Sequence, residues 1–424
     1  MPFDLLQAAS DLIAVDTVSE RGNAGIVPVV RGLAQACGLG LEVLPAAGSP
    51  KDANLLVSLP GAPRPEPLLF VTHTDTVPPG PLEAWTRTSP WKALADGDEL
   101  VGLGSADVKV DLCAKLLALE RLASRPLARG VHWLGTYGEE VGLLGAKAFV
   151  ASGRLQPRAA VCGEPSSLHI VHAHKGYMVA RVKLGQPKPA KPVVRRASFA
   201  GKAAHSSTPS LGENAIEKAL HDPLAGAVTM RGGQGANSVP AECVVEYAEG
   251  EGTLPVTQMR RAVAAWLALM DRLEPRRDDR FEPKRAVGNV GWIDAADGRA
   301  ELLLDGRLLP GHDPAFVMAD YGASIRRLGG EVVFERDNPA VWTDPAGPLV
   351  SAAKRASESL GLPTLPETKA TNTEAAAFAG SCEAIVFGAG PSRGNAHCPN
   401  ERTLLPEVRK AVDWYERLAV ELCS

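Results

Sequence analysis

The feature of this 424-residue chain that most constrains its fold is a series of short apolar runs that lead into histidines or carboxylates. Leu68–Val71 precedes His73, WLGTY precedes Glu139 and Glu140, and AAVC precedes Glu164 by one glycine. Apolar runs of this length between turns predict buried strands. Open α/β sheets place their sites in the loops after the carboxyl ends of strands. The pattern therefore predicts such a sheet, with a functional site along that edge.

Two further residues extend this set of potential metal ligands. Asp107 opens a helical pattern in GLGSADVKVDL, and His397 follows a late apolar run in GNAHCPNERTLL. Together with His73, Glu140 and Glu164 they provide two imidazoles and three carboxylates. These ligand types suit a pair of divalent ions, with zinc as the best match. The sequence thus predicts a two-metal hydrolase.

Composition limits the class of protein and its partners. The chain is 45% hydrophobic and 22% charged, as in a globular protein, and its length predicts two domains. A formal net charge of −4 provides no basic patch for nucleic acid or for an anionic membrane surface. We therefore expect neither partner.

The distribution of apolar and cysteine residues predicts a cytoplasmic protein. No apolar stretch approaches the roughly 20 residues that a spanning helix needs. The N-terminus MPFDLLQAASDLIAVDTVSE lacks the basic segment of a signal peptide. The seven cysteines contain no CxxC pair, which argues against both a disulfide framework and a cysteine zinc site.

Periodicity divides the chain into a catalytic domain and an insertion. Residues 1–180 alternate helix and strand, which indicates a sheet covered by helices on both faces. Residues 181–335, which include the turn-rich segment Gln186–Pro192, are predicted to form an inserted α+β lid or dimerisation domain. Residues 336–424 return to the catalytic pattern, because His397 follows a late strand there.

The individual elements follow from apolar stripes and turns. The predicted helices are Phe3–Ile13, Ala24–Cys37, Asp107–Leu122, Val256–Leu273 and Gly347–Leu360. The predicted strands are Asn54–Leu59, Leu68–Thr72, Val131–Thr136, Ala159–Cys162, Val179–Leu184, Glu242–Tyr247, Ala300–Leu304 and Glu383–Gly388.

Taken together, the motifs resemble the M20 family of metallopeptidases and deacylases, and within it the acetylornithine deacetylase group. The resemblance covers nearly the whole chain and rests on motifs that fall in the order of that family. They are HTDTVP, GLGSADVK, GEEVGLLGA, GEPSSLHIVHAHKGY, GKAAHSSTPSLGENAIE and AHCPNE.

The resemblance implies a role for each potential ligand. Asp107 would bridge two ions, zinc or cobalt. His73 and Glu164 would complete one metal site, and Glu140 with His397 the other.

The resemblance also implies two catalytic residues beside the metals. Glu139 would serve as general base and acid, which commonly contributes about 10²–10⁴-fold. Asp75 would hydrogen-bond the imidazole of His73 and fix its tautomer.

Further residues implied by the resemblance lie in the insertion or near the C-terminus. His205 would stabilise the oxyanion, reaching across a homodimer into the active site of the partner subunit. Asn237, Arg307 and Glu374 would contact the substrate, with Arg307 binding a carboxylate. For Asn237 and Arg307, a turn residue and a surface arginine are the alternative interpretations.

Two departures from the family pattern concern the metal-binding motifs. The bridging aspartate is usually followed by Met-Lys-Gly-Gly, but this chain has Val108-Lys109-Val110-Asp111. Gly138 stands where an acidic residue usually precedes the glutamate pair.

The insertion is longer than the resemblance predicts. Gly232–Tyr247 and Asn289–Gly311 compete for the same family strand, and about forty residues between them have no counterpart.

The expected activity is removal of an N-acyl group, with acetyl and N-acetylornithine as first choices. Alternatives within the enzyme class are desuccinylation of succinyl-diaminopimelate, deacetylation of N-acetylcitrulline, and dipeptidase or carboxypeptidase cleavage of short peptides. From another class, a metal-free protein that binds an amino-acid derivative is the rival. It is disfavoured because the base and all the ligands are present.

Overall fold

In a computed structural model of the protein, residues 4–61, 65–273 and 277–424 are described. The chain divides into two compact units. The first consists of residues 1–173, 341–367 and 373–424, and the second of residues 174–340 and 368–372. The predicted insertion, residues 181–335, falls within the second unit.

Both kinds of secondary structure occur along the whole described chain. The α-helices are α1 Leu5–Ile13, α2 Val27–Ala36, α3 Lys109–Leu122, α4 Leu144–Ser152, α5 Ala215–His221, α6 Val256–Arg272, α7 Pro314–Arg327, α8 Pro348–Ser359, α9 Ala375–Phe378 and α10 Leu405–Cys423. The strands from the N-terminus to residue 205 are β1 Gly40–Ala46, β2 Ser49–Ser58, β3 Leu68–His73, β4 Leu94–Asp96, β5 Glu99–Val101, β6 Val131–Thr136, β7 Ala159–Cys162, β8 Val171–His174, β9 Gly176–Gly185, β10 Arg195–Ala200 and β11 Ala204–His205. The later strands are β12 Ala227–Gly233, β13 Ser238–Val239, β14 Glu242–Tyr247, β15 Val287–Ala296, β16 Arg299–Leu308, β17 Glu331–Asn338, β18 Val341–Trp342, β19 Glu367–Lys369, β20 Glu383–Val386 and β21 Arg402–Leu404.

The first unit is built on a mixed sheet in the order β1-β2-β6-β3-β7-β20-β8-β18. Its centre is parallel, because β3 pairs with β6 and β7, and β7 pairs with β20, all in the same direction. The carboxyl ends of these four strands therefore meet at one edge of the sheet. A small sheet, β21-β5-β4, accompanies it.

Helices cover both faces of this sheet, as predicted. Phe70 and Trp133 point into the larger apolar core, which contains residues of α1, α2, α3, α8 and α10. Val71 and Leu134 point into the smaller core with residues of α4 and α9. Alternate residues of one strand thus face opposite cores, which is why the central strands are apolar throughout.

The second unit contains an antiparallel sheet in the order β10-β14-β12-β15-β16-β9-β17. Residues of α5, α6 and α7 pack with it around one apolar core. Gly232–Tyr247 and Asn289–Gly311 do not compete for one strand, since β12, β14, β15 and β16 are all neighbours in this sheet. The helix predicted over Val256–Leu273 is α6, with Met259, Val263, Trp266 and Met270 in the core.

Most predicted elements occur in the structure, but some bounds differ. The strands expected over Asn54–Leu59, Val179–Leu184 and Ala300–Leu304 are longer, as β2, β9 and β16. The helix expected from Asp107 begins two residues later, because Asp107 lies in the preceding turn. The helix expected over Ala24–Cys37 is divided into a 3₁₀ turn, Ala24–Ile26, and α2, which has a proline in its first turn. Phe3, the predicted first residue of α1, lies outside the described residues.

Among the described residues, none of the helices combines the length and the apolar character that crossing a membrane would require.

Candidate metal centre

The predicted ligands of the first unit lie at the carboxyl edge of its parallel strands. His73 is the last residue of β3, and Glu164 follows β7 after one glycine. Glu139 and Glu140 lie in the turn after β6, and Asp107 lies just before α3. Residues that are distant in the sequence therefore come together because their strands are neighbours in the sheet.

Asp107 occupies the middle of the cluster. Its Oδ1 lies 3.0 Å from Nε2 of His73, and its Oδ2 lies 3.1 Å from Nε2 of His397. Nε2 of His397 is also 3.1 Å from Oε1 of Glu140. The aspartate thus presents one carboxylate oxygen to each imidazole.

The potential ligand atoms form three overlapping groups among the described residues, and two of these groups share Asp107. One contains His73, Asp107 and Glu164, and the other contains Asp107, Glu140 and His397. Within each group, the ligand atoms lie within 4.8 Å of one another. These are the two sets that the sequence resemblance implied.

The donor set fits two divalent ions. Two ligands of one tetrahedral zinc ion, at bond lengths of roughly 2.0–2.2 Å, are separated by about 3.3 Å. The nitrogen–oxygen separations around Asp107 are close to this value without any rearrangement. Nitrogen and carboxylate oxygen donors also match the preferences of zinc and related ions.

In the metal-free protein, neighbouring carboxylates favour protonation of the two imidazoles that would bind the cations. Hydrogen bonds to the two imidazoles outweigh the effect of burial and lower the pKa of Asp107. The charge of Glu140, with the hydrogen bond to Asp107, outweighs burial and raises the pKa of His397 to about 12. Burial disfavours protonation of His73, but Asp107 and Glu139 outweigh it and raise its pKa. Both imidazoles therefore hold a proton more strongly than a free histidine does.

Asp75 makes the expected hydrogen bond to the imidazole of His73, and it does so through its backbone carbonyl. Nδ1 of His73 lies 3.0 Å from the backbone carbonyl oxygen of Asp75, whereas the nearer carboxylate oxygen is 3.7 Å away. The carboxylate instead accepts hydrogen bonds from the hydroxyl of Ser19 and from the backbone N–H groups of Glu139 and Glu140. The tautomer of His73 is thus fixed by a carbonyl, and the carboxylate holds the glutamate turn.

Glu139 lies beside the ligand cluster with an altered acidity. Burial, and then the neighbouring charge of Glu140, raise the pKa of Glu139 well above that of a free glutamate. A raised pKa makes this carboxylate a better proton acceptor than a free glutamate. The backbone N–H of Glu139 donates a hydrogen bond to the carboxylate of Asp75 at 3.0 Å. This bond fixes the turn that carries Glu139.

Glu401 is a residue whose contribution the sequence did not reveal, although it ends the motif AHCPNE. Its carboxylate is 1% exposed and accepts hydrogen bonds from the backbone N–H groups of Gly104, Ala106 and Asp107, at 3.2, 2.8 and 2.8 Å. It therefore fixes the turn that carries Asp107. The only sequence signal is an acidic residue four positions after the predicted ligand His397.

Glu374 lies in the first unit, buried near the cluster. The hydroxyl of Thr136, at the end of β6, donates a hydrogen bond to its carboxylate. Burial raises the pKa of Glu374 to about 7, while the charge of His73 opposes the shift. Its predicted contact with substrate stays a prediction.

His205 and Asn237 belong to the second unit and lie close together there. His205 pairs with Ser238 across β11 and β13, and the carbonyl oxygen of Asn237 accepts a hydrogen bond from Ser206. Nδ1 of His205 lies 2.7 Å from the hydroxyl of Ser207. His205 is exposed, so its ring can contact a substrate.

Arg307 is engaged inside the second unit. Its guanidinium forms two hydrogen bonds with Asp305, at 3.0 and 3.2 Å, and one with the hydroxyl of Ser206. It also lies 3.7 Å from the ring centroid of Tyr177, and the residue is only 3% exposed. The alternative of a surface arginine is therefore wrong, and binding of a substrate carboxylate stays a prediction.

Comparison with known proteins places the chain in a family. The sequence model described as peptidase family M20/M25/M40 matches residues 69–421. An acetylornithine deacetylase of Pectobacterium carotovorum subsp. carotovorum (strain PC1) is 31% identical over 232 residues, which are 54% of this chain and 55% of that protein. The match thus spans about half the length of this curated relative.

Solved structures resemble the chain over almost its full length. The M20 family metallo-carboxypeptidase Sso-CP2 from Sulfolobus solfataricus has a TM-score of 0.68 at 20% identity, covering 98% of both chains. YXEP of Bacillus subtilis, a dinuclear metal-binding peptidase of the M20 family, has a TM-score of 0.58 at 13% identity, covering 98% of this chain and 96% of its own. At these identities the likeness establishes the fold. Because the family model covers most of the sequence, the chain belongs to peptidase family M20/M25/M40, whose members are metal-dependent hydrolases.

Proposed function

We propose that the protein is a di-metal amidohydrolase that removes an N-acyl group, in the first instance acetyl, from an amino acid such as N-acetylornithine. The observation that carries this proposal is the cluster around Asp107, in which two ligand groups share one carboxylate. Glu139 lies in the same cluster, within reach of His73 and Glu140.

The chain's own residues would hold two ions, zinc or cobalt. His73, Asp107 and Glu164 would hold one, and Asp107, Glu140 and His397 the other. When bound, the ions supply Lewis acidity, which polarises an amide carbonyl and makes water acidic enough to ionise near pH 7.

Glu139 is the proton carrier in this proposal. Its carboxylate accepts the proton of the attacking water and returns it to the departing amine. The raised pKa supports this role, because a more basic carboxylate accepts the proton of water more readily than a free glutamate does. Asp75 contributes by holding the backbone of the turn on which Glu139 stands.

The second unit supplies contacts to the substrate in this proposal. His205 donates a hydrogen bond to the oxyanion that forms at the carbonyl, an interaction commonly worth about 3–4 kcal/mol of barrier. Its exposed ring supports the role. A homodimer in which His205 serves the partner subunit is part of the proposal.

The choice of an acetylated amino acid as substrate rests on similarity. The acetylornithine deacetylase relative is 31% identical, more than the solved peptidase structures. Short peptides are the second candidate substrates, since Sso-CP2, a carboxypeptidase, resembles the chain over 98% of its length.

The test is amine release from a panel of substrates after the protein has been stripped of metal and reloaded with Zn²⁺ or Co²⁺. The panel contains N-acetyl-L-ornithine, N-acetyl-L-citrulline, N-succinyl-diaminopimelate and simple dipeptides. We expect metal-dependent turnover with a preference for acetylornithine. Preference for another member would overturn the substrate but keep the chemistry. Absence of turnover with both metals would overturn the proposed reaction.

A further inference from the structure

A buried ion pair lies in the first unit, next to the ends of the strands that carry the potential ligands. Asp111 and Lys115 are one turn apart on α3, with Nζ 2.6 Å from Oδ2. Their side chains are 3% and 0% exposed, respectively. Removing two charges from water is costly, and the cost is offset only when further hydrogen bonds satisfy both groups. The partners of this pair therefore indicate what it does.

The pair binds the end of β3. The hydroxyl of Thr72 donates a hydrogen bond to Oδ2 of Asp111 at 3.0 Å and accepts one from Nζ of Lys115 at 3.0 Å. Nζ of Lys115 also donates to the carbonyl oxygen of Val71. Thr72 directly precedes His73, so the backbone that presents the first imidazole is fixed at two consecutive residues.

The same pair lies against the end of β7. A methyl group added at Gly163 would lie 2.1 Å from Oδ2 of Asp111 and 2.6 Å from Nζ of Lys115. Gly163 directly precedes Glu164, and its N–H donates to the carbonyl oxygen of Val71 that also accepts from Lys115. The absence of a side chain at Gly163 thus allows the ion pair to meet the backbone beneath the second ligand.

A third contact reaches the end of β20. The hydroxyl of Tyr415 donates to Oδ1 of Asp111 at 2.6 Å and lies 2.9 Å from the carbonyl oxygen of Phe387. The ring of Tyr415 also faces Lys115, with Nζ 5.1 Å from its centroid. The ion pair therefore contacts the ends of β3 and β7 directly. It contacts the end of β20 through Tyr415.

We infer that Asp111 and Lys115 are positioning residues that hold the strand ends carrying His73 and Glu164 at metal-binding distance from Asp107. This inference rests on the metal-binding roles proposed above. Two apolar side chains could fill the same space, but they could not bond to the hydroxyl of Thr72 or the carbonyl oxygen of Val71.

The test replaces the pair with apolar residues of similar size, as Asp111→Leu with Lys115→Met. Removing one partner alone would leave a buried charge unpaired, whereas an apolar replacement of both commonly preserves folding. Arg121→Met is the matched control, because Arg121 lies on the same helix and its ion pair with Asp413 is exposed. Zinc binding to the stripped proteins is measured by competition with a chromophoric chelator, and folding by circular dichroism.

We expect the folded double variant to lose about 10–100-fold in affinity for at least one zinc ion, as is typical when partners of ligand residues are removed. Arg121→Met should bind zinc like the wild type. A folded double variant that binds two zinc ions with wild-type affinity would overturn the inference. If the wild type bound no zinc, the proposed metal centre would fail instead, and the two failures are therefore distinguishable.

A second pair of variants decides the matter if the double variant does not fold. Thr72→Val removes the hydroxyl that bonds to both Asp111 and Lys115, whereas Thr72→Ser retains a hydroxyl. We expect weaker zinc binding in the valine variant and near wild-type binding in the serine variant. Equal, wild-type affinity in both would overturn the inference.

Discussion

At the scale of single residues, the candidate metal centre depends on side chains that hydrogen-bond to the backbone around the potential ligands. The carboxylate of Asp75 bonds to Ser19 and to the N–H groups of Glu139 and Glu140. Its carbonyl oxygen meanwhile bonds to His73. One residue therefore fixes the orientation of a proposed ligand and the turn of the proposed base.

Replacement of Glu139 separates catalysis from metal binding. We expect Glu139→Gln to bind two metal ions but to lose about 10²–10⁴-fold in kcat, because the amide can no longer accept a proton. Metal content by elemental analysis and turnover of the preferred substrate provide the measurements. A variant with unaltered kcat would exclude Glu139 as the base.

Metal binding should release protons and strengthen as the pH rises. In the metal-free protein the charge of Glu140 raises the pKa of His397 to about 12, and Asp107 and Glu139 raise that of His73, so both imidazoles hold a proton more strongly than a free histidine does. Metal requires them neutral, so binding displaces up to one proton from each, and affinity falls as the pH is lowered. Calorimetric titration in buffers of different ionisation enthalpy measures the release. A zinc affinity that does not change between pH 6 and pH 8 would contradict the prediction. This range of roughly two pH units is wide enough to detect the release of a proton.

Glu401 should matter for metal affinity without being a ligand. Glu401→Gln replaces one acceptor oxygen with a donor that faces the backbone N–H groups around Asp107. We expect a 10–100-fold loss of zinc affinity, as is typical of residues that orient ligands. Glu416→Gln, which alters the partly exposed ion pairs of Glu416 with Arg121 and Arg125, is the control and should leave the affinity unchanged. Equal affinities in the two variants would exclude this role.

At the scale of elements, parallel strands and one helix determine where the cluster lies. β3, β6 and β7 end at the same edge, and α3 begins directly after the turn of Asp107. In the second unit, α6 packs against the sheet through Trp266, whose indole N–H donates to the carbonyl oxygen of Asp305 at 2.8 Å. The helix without a family counterpart is thus part of the core.

Truncation of Trp266 should destabilise the second unit. The side chain is fully buried and contacts Tyr321 edge-on, so we expect Trp266→Ala to cost about 3–5 kcal/mol of unfolding free energy. Urea denaturation measures the loss. Arg261→Ala, on the exposed side of α6, should change the free energy by no more than about 0.5 kcal/mol. Similar losses in both variants would contradict the assignment of α6 to the core.

At the scale of the whole molecule, the two units have separate cores, and the ligand cluster belongs to the first. We expect metal removal by a chelator to destabilise the first unit. An ion that binds only the folded state stabilises it by about 4 kcal/mol when the free ion concentration is 1,000 times its Kd. Hydrogen exchange followed by mass spectrometry locates the effect. Protection should fall around His73, Glu139 and Glu164 and recover when Zn²⁺ is restored. Unchanged exchange in these segments would contradict a metal centre there.

The sequence by itself indicated most of the elements and the types of potential metal ligand. Apolar runs such as Val131–Thr136 and Ala159–Cys162 predicted their strands to the residue, because periodicity and turn residues are local properties. His73, Asp107, Glu140, Glu164 and His397 were recognisable from their motifs, and the structure brings them together as two groups.

Only the tertiary structure decided which groups hold those ligands in place. Glu401 bonds to the N–H of Asp107 across 294 positions, and Tyr415 bonds to Asp111 across 304. The engagement of Arg307 with Asp305, and the bond of His73 to a carbonyl instead of a carboxylate, likewise depend on how the chain bends in space. Contacts of this kind leave no periodic signal in the sequence, because they form only when distant elements pack against each other.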